Sequence, residues 1–139
     1  MSTFDKKSIS LEAANKAILA AATKAKDIGV PMAIAVCDAD GNLKAFSRMD
    51  GAALLAIKVA QQKAWTSISF GQPTHGMWEF IKNDPPLLAG LPHQTDMIVF
   101  GGGYPINIDG QLVGGIGVSG GHYSQDQVCA EAAISELGA

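Results

Sequence analysis

The stretch from Gly101 to Gly121 constrains the fold more than any other part of this sequence. It holds nine of the 16 glycines, and apolar residues flank its Asp109-Gly110 dipeptide on both sides. An Asp-Gly pair in that setting is a strong signal for a β-hairpin. Glycine within a strand is costly, because it loses much entropy on ordering and packs no side chain. The glycines are therefore best explained by another backbone, or a flat ligand, that approaches the strand closely.

One motif in this stretch imitates a nucleotide site. Residues Gly115 to Gly120 match the dinucleotide-binding pattern G-x-G-x-x-G. That pattern requires glycines that follow a strand and open a helix at once. Here the first two glycines fall inside the predicted strand, and the next predicted helix begins only near Gln125. We therefore assign no nucleotide site to it.

Composition excludes several classes of partner. The 139 residues carry a net charge of −3 with scattered lysines, which favours neither nucleic acid nor an anionic membrane surface as a partner. No apolar run approaches the roughly 20 residues of a membrane helix. The two cysteines, Cys37 and Cys129, lack metal-ligand spacing and are expected to be reduced thiols. We expect one cytoplasmic domain over residues 1–139.

Periodicity predicts an α+β fold in the order α-β-β-α-α-β-β-β-α. Tight turns in both hairpins favour a mainly antiparallel sheet, for which we predict five strands with the first and last helices on one face. The first helix begins after the cap Ser10, its alanine face is expected to cover the glycine-rich sheet, and Ser124 with Gln127 forms a capping box for the last helix. Predicted helices span 10–28, 52–69, 74–81 and 125–137, predicted strands include 32–37, 43–48 and 97–100, and 84–95 is expected to be a loop.

Arg48 is a candidate for anchoring an anionic group. It is the single arginine of the sequence and follows the second predicted strand, just before a helix. Arginine presents a rigid fork of donors that suits carboxylate or phosphate. Asp50 could instead pair with it, or cap the helix, in a purely structural role. Both interpretations stay open at this point.

Among the histidines, His122 is the candidate for ligand contact. His75 and His93 are more typical of surface residues, whereas His122 follows the glycine strand and precedes a helix. Asp126 is explained by its favourable position in the first turn of that helix. Tyr104 could stack on, or ligate, a flat cofactor, or pack as a loop aromatic. No catalytic triad order, P-loop or HExxH motif is present.

Several motifs together resemble the GlcG/HbpS family, a DUF336-type haem-binding group that also occurs as the C-terminal domain of PduO-type cobalamin adenosyltransferases. The resemblance covers nearly the whole chain, and its last block with Gln125-Asp126 is specific. The matching pieces are Ala35–Asp38 with Asp40-Gly41, Arg48–Ala52, Lys63–Thr66, Gly102–Ile106 and Val113–Gly121.

The resemblance implies a profilin-like or PAS-like fold and a stable homo-oligomer, often an octamer. Some members of the family bind haem, and others are encoded beside catabolic pathways. Where many relatives carry Thr, this chain has His122, which would supply a better iron ligand or mark a site adapted to another ligand. Taken with the positions predicted for them, the candidate cofactor-binding residues are Arg48, Gly102, Gly103, Tyr104, Gly121 and His122, with His122 also the candidate metal ligand.

Three functions follow as hypotheses. The first is an oligomeric protein that binds haem, or a related tetrapyrrole or corrinoid, with His122 or Tyr104 as axial ligand. The second is a small enzyme in which Arg48 holds a carboxylate and His122 with Asp50 or Asp126 moves a proton. The third is a structural or chaperone-like subunit of a catabolic complex.

The predicted site lies where three segments meet at one end of the sheet. In an antiparallel hairpin the start of one strand lies beside the end of the other. This places Gly101–Gly103 next to Gly120–His122. The corner Arg48–Gly51 joins them if the second strand ends at the same edge.

Overall fold

The computed structural model describes residues 2–94 and 96–139, which contain five α-helices and four strands. No helix among them is long and apolar enough to cross a membrane. The α+β class and the antiparallel sheet are confirmed. The elements are α1 Leu11–Ile28, β1 Ala33–Asp38, β2 Leu43–Arg48, α2 Leu54–Phe70, α3 Thr74–Ile81, α4 Pro85–Gly90, a short 3-10 helix Leu91–His93, β3 Gly103–Ile108, β4 Gln111–Ser119 and α5 Tyr123–Leu137.

The four strands pair in the order β2-β1-β4-β3. Ala33 at the start of β1 pairs with Arg48 at the end of β2 and with Ser119 at the end of β4. On the other side of β4, Gly103 at the start of β3 pairs with Gly117. The ends of β2 and β4 and the start of β3 therefore lie at one end of the sheet.

Helix α2 packs so closely on the sheet that its backbone fills the space beside the glycines. A Cβ at Gly117 would overlap the carbonyl oxygen of Ala60, and one at Gly115 would lie 2.6 Å from that of Ala64. A Cβ at Gly103 would lie 2.6 Å from the carbonyl oxygen of Lys63. Of the two explanations for the glycines, the structure supports a neighbouring backbone. Helix α1 does cover the glycine-rich sheet, but on its other face, so the close backbone beside Gly103, Gly115 and Gly117 is that of α2.

Helices α1 and α5 cover the opposite face of the sheet, as predicted. Ser10 caps α1 by accepting a hydrogen bond from the Ala13 N–H at 3.1 Å, and Gly29 ends the helix with φ of 74°. The alanines of α1 pack against α5 and against the larger side chains that the central strands place on this face. The buried cluster includes Ala14, Ala17, Ala21, Ala25, Met32, Ile34, Val36, Ile116, Val118, Cys129, Ala130 and Ala133.

The predicted strand over 97–100 is wrong, so the sheet has four strands rather than five. Met97 is buried against Met77 and Ile81. The N–H of Ile98 donates to the Thr66 hydroxyl at 3.0 Å. The Thr66 side chain of α2 thus takes up a backbone N–H that would have to pair with a neighbouring strand if 97–100 were part of the sheet. Local β-propensity therefore does not decide the structure of this segment.

The segment predicted as a loop over 84–95 contains helix α4 and the 3-10 helix. Asp84 caps α4 by accepting from the Leu87 N–H at 3.3 Å, and Pro85 occupies the first helical position. Proline is favoured there because its missing N–H would have no partner in the helix anyway. Pro85 therefore starts a helix within the segment that was predicted to be a loop. Thr95, the last residue of the predicted loop, lies outside the described residues.

Candidate functional site

His122 forms the N-terminal cap of α5, where the sequence predicted Ser124. Its Nδ1 accepts a hydrogen bond from the Ser124 N–H at 3.2 Å and lies 2.8 Å from the Ser124 hydroxyl. Gln125 completes the capping box by accepting from the His122 N–H at 3.0 Å. The predicted pair of Ser124 and Gln127 is thus wrong by two residues, because an imidazole nitrogen replaces the usual hydroxyl.

The cap leaves Nε2 of His122 as the available ring nitrogen. His122 is exposed, and within residues 2–94 and 96–139 no hydrogen bond to Nε2 is present. Its ring packs on that of Tyr123 with centroids 4.0 Å apart. The imidazole is therefore oriented by the helix start and by a neighbouring aromatic ring, with one nitrogen free for a ligand.

The Gly101–Gly103 segment and the Gly120–His122 turn lie at the same end of the sheet, and Asp126 touches both. Asp126 accepts from the Gly121 N–H at 3.0 Å, and a Cβ at Gly102 would lie 2.8 Å from the Asp126 Cβ. Gly102 and Gly103 are buried, and protein atoms fill the space beside them. We assign these two glycines a packing role; their contact with a ligand stays a prediction without support from this geometry.

A buried ion pair lies beneath this end of the sheet. The ammonium group of Lys63 is 2.7 Å from the Asp126 carboxylate and donates to the Val118 carbonyl oxygen at 2.9 Å, and neither side chain is more than 3% exposed. Burial lowers the pKa of Lys63 and raises that of Asp126, while their mutual attraction opposes both shifts. With both carboxylate oxygens engaged, Asp126 is poorly placed to exchange a proton with a substrate.

Sequence reasoning gave Lys63 no role of its own. It was noted as part of one family motif, and a lysine within a helix is usually exposed. The signal that could have identified it is its position on the apolar face of α2, between Ala60 and Ala64, both of which are buried. A cation on such a face requires a buried anion.

An open groove of about 400 Å³ lies beside the start of α5. Its walls carry three large aromatic side chains that are 42–49% exposed, Trp78, Phe100 and Tyr123. The volume is at the lower end of the range of about 300–1,000 Å³ for small-molecule pockets. The remaining lining residues are His75, Glu79, Val99 and Gly101.

Tyr104 is held away from the groove by its own contacts. Its hydroxyl donates to Glu131 at 2.8 Å, and its ring meets that of His75 edge-on at 5.7 Å. Burial and the hydrogen bond to Glu131 raise the pKa of Tyr104, which disfavours the phenolate that ligates iron. Of the two predicted axial ligands, the geometry favours His122.

Arg48 lies at the same end of the sheet but in a different groove. Two strand spacings, roughly 10 Å, separate it from Ser119, because both pair with Ala33 on opposite sides. Arg48 and Asp50 line an open surface formed with residues of α1, including Lys26. The structure therefore does not assemble Arg48, Asp50 and His122 into one acid-base site.

Comparison with known proteins identifies the family. The family model described as "Haem degrading protein HbpS-like" matches residues 9–135. The chain belongs to the HbpS-like family. This confirms the resemblance seen in the sequence motifs.

An uncharacterised 15.0 kDa protein of Citrobacter freundii is 35% identical to this chain over 127 residues, covering 91% of this chain and 89% of that protein. Protein GlcG of Escherichia coli K12 is 35% identical over 111 residues, covering 80% and 81% of the two chains.

Solved structures of the HbpS-like family agree with this fold. The PduOC chain, which was solved as a complex with haem, is 32% identical to this chain and superposes with a TM-score of 0.86. The match covers 94% of this chain and 95% of the PduOC chain. A double mutant of HbpS from Streptomyces reticuli is 31% identical with a TM-score of 0.90, over 99% of this chain and 92% of that one.

Proposed function

We propose that this HbpS-like chain is a small-molecule-binding protein for haem or a closely related tetrapyrrole or corrinoid. The observation that carries the proposal is the aromatic groove next to His122. Aromatic walls suit a flat macrocycle, since stacked and edge-on ring contacts add to the burial of apolar surface. The relationship to PduOC, which was solved as a complex with haem, supports the same ligand class.

In this proposal His122 would be the residue that holds the haem iron. Its Nε2 is free, and Nδ1 lies 2.8 Å from the Ser124 hydroxyl, which can accept a hydrogen bond from the ring. Metal-ligating histidines usually donate their second N–H to such a partner. Bound haem would supply an iron centre whose redox and ligand-binding properties the axial histidine tunes. His75, which lines the groove itself, is the alternative ligand that a test must separate from His122.

Self-association belongs to the proposal, because one chain leaves the groove open. Trp78, Phe80 and Leu88, in the helical segment that follows α2, are at least 40% exposed. The nearby Leu87 and Leu91 are partly buried and pack against Met77, Ile81 and Met97. Exposed apolar patches of this kind commonly mark interfaces. We expect a homo-oligomer, with an octamer as the arrangement that the family resemblance implies.

Titration of the apoprotein with haemin tests the function. We expect a saturable Soret band, and we expect His122→Asn to lower the affinity because asparagine retains the helix cap but lacks an imidazole. His93→Asn, on the short 3-10 helix outside the groove, is the matched control and should bind like the wild type. Titration with iron-free protoporphyrin measures how much affinity the groove provides without coordination of iron.

Two results would reject the proposal or its assignment of the iron ligand. One is a folded wild-type protein that shows no saturable spectral change with haemin. The other, equal haemin affinity and an identical spectrum for the wild type, His122→Asn and His75→Asn, would reject His122 as the iron ligand, because haemin would then bind without it and without the groove residue His75.

A further inference from the structure

The buried Lys63–Asp126 pair connects the parts of the chain that surround the Gly120–His122 turn. Lys63 reaches from α2 to the Val118 carbonyl oxygen, just before the turn. Asp126 reaches from α5 to the Gly121 N–H, within the turn. The 2.7 Å contact between the two side chains closes a bridge from one side of the turn to the other.

The turn has few other means of holding its shape. Gly120 and Gly121 carry no side chains, so neither residue contributes side-chain packing. Gly120 also has φ of 149°, a conformation that glycine adopts readily. A Cβ at Gly102 would lie 2.6 Å from the Lys63 ammonium nitrogen, which shows that the sheet also leaves room for this side chain. Burial of an ion pair in place of apolar residues rarely stabilises a fold, whereas it can specify one arrangement.

We propose that the Lys63–Asp126 pair is a clamp that fixes the Gly120–His122 turn and thereby positions the imidazole of His122. His122 directly follows the clamped Gly121, and its own N–H is bound by Gln125 at 3.0 Å. Movement of Gly121 would displace His122 relative to the groove that Tyr123 lines. Lys63 and Asp126 are positioning residues in this proposal, and the link to a ligand rests on the proposed haem function.

A charge-neutral double variant, Lys63→Met with Asp126→Asn, tests the clamp without leaving a buried unpaired charge. The amide oxygen of the introduced asparagine can still accept from the Gly121 N–H, so the change isolates the ionic bridge. The matched control makes the same substitutions in the exposed pair of Lys6 and Asp40, which are 2.6 Å apart at the β1–β2 turn. If the double variant does not fold, Asp126→Asn alone is compared with Asp40→Asn.

Amide hydrogen exchange of the apoprotein is the primary readout. We expect the Gly121 and His122 amides to exchange about tenfold faster or more in the clamp variant, since hydrogen bonds to charged groups are among the stronger ones. Amides of the central strand β4, such as that of Ile116, should change by less than about twofold in a local effect. The control variant should resemble the wild type throughout.

Haemin titration supplies the second readout. We expect the clamp variant to bind haemin about tenfold or more weakly, the range seen when outer partners of metal ligands are lost. Added imidazole should restore the wild-type spectrum. Unchanged exchange at Gly121, or faster exchange with unchanged haemin binding, would overturn the positioning role. If the wild type binds no haemin, the proposed function fails, while exchange at Gly121 still decides whether the pair holds the turn.

Discussion

Replacing Lys63 by Met should destabilise the protein more than most single substitutions. Methionine nearly fills the space of the lysine stem but removes the charge. Asp126, which is 2% exposed, would then be a buried carboxylate without its cation. The Val118 carbonyl oxygen would also lose the donor that lies 2.9 Å away.

The magnitude follows from burial of both partners. Breaking a buried ion pair by removing one member costs about 3–5 kcal/mol. Typical domains have a free energy of unfolding of about 5–15 kcal/mol, so the variant should lose a large share of its stability. For a chain of 139 residues we expect a fall in Tm of roughly 10–20 °C. The double variant Lys63→Met/Asp126→Asn should lose less than the sum of the single variants, with a coupling of about 0.5–3 kcal/mol.

The stability that the protein loses in Lys63→Met should increase as the pH rises. Burial raises the pKa of Asp126 above its ordinary value of 3.8, and loss of Lys63 removes the attraction that opposes this shift. A carboxyl whose folded-state pKa is raised favours folding fully below its unfolded-state pKa and loses that contribution as pH rises through the folded-state pKa. The stability gap between Lys63→Met and the wild type should therefore be small at about pH 4 and grow as pH rises through the folded-state pKa of Asp126.

Urea unfolding at several pH values measures this gap, with Lys6→Met as the control for loss of an exposed ion pair. The exposed pair should contribute about 1 kcal/mol or less. A loss of under about 1 kcal/mol for Lys63→Met at pH 7 would refute the reasoning. A pH-independent loss would show that packing, rather than the unpaired carboxylate, causes the effect.

Three further predictions concern packing, thiol reactivity and assembly. Gly117→Ala should cost about 1–3 kcal/mol or more in urea unfolding because its methyl would overlap α2, whereas Gly90→Ala, with open space around it, should be neutral or stabilising. Burial raises the pKa of Cys37 to about 12, so iodoacetamide at pH 8 should label it only after unfolding; rapid labelling of the native protein would contradict this. Light scattering should give a multiple of 14.4 kDa that falls for Trp78→Lys, and a monomeric wild type would refute self-association.

Sequence patterns predicted most elements of the fold because local signals agree with tertiary packing there. The hairpin at Asp109-Gly110 has positive φ at both positions, 52° and 77°, as the favoured two-residue turn requires. The strand predicted over 97–100 failed because Thr66, distant in sequence, binds its backbone. Such a contact leaves no trace in local periodicity.

The candidate site was only partly predictable for a similar reason. Glycine spacing and hairpin geometry placed His122 near Gly102, since those depend on strand register. Which atoms fill the space beside the glycines depends on which helix packs over them. Both α1 and α2 have alanine on their buried faces, so the sequence does not distinguish between these two helices. The partner of Asp126 was missed because Lys63 lies 63 residues earlier in the chain.

The capping role of His122 has a consequence for the proposed ligand. The Ser124 N–H lies 3.2 Å from Nδ1 of His122, and Nδ1 can accept this bond only in the tautomer that carries the ring proton on Nε2. A His122 ring that held a metal through Nε2 would carry its proton on Nδ1, which could then no longer cap the helix. The Ser124 hydroxyl, 2.8 Å from Nδ1, is the acceptor that the new N–H would use. Ligand binding would thus exchange a capping bond for a bond to Ser124.

Ser124→Ala separates these two states. In the apoprotein it removes neither bond of the capping box, so Tm should change little, because the backbone N–H remains the donor. With haemin it removes the acceptor for Nδ1–H, so affinity should fall by about tenfold or more, as for other partners of metal-ligating histidines. Ser135→Ala, near the other end of α5, is the matched control. Equal haemin affinity for both variants would mean that His122 does not bind iron through Nε2 with Ser124 as its partner.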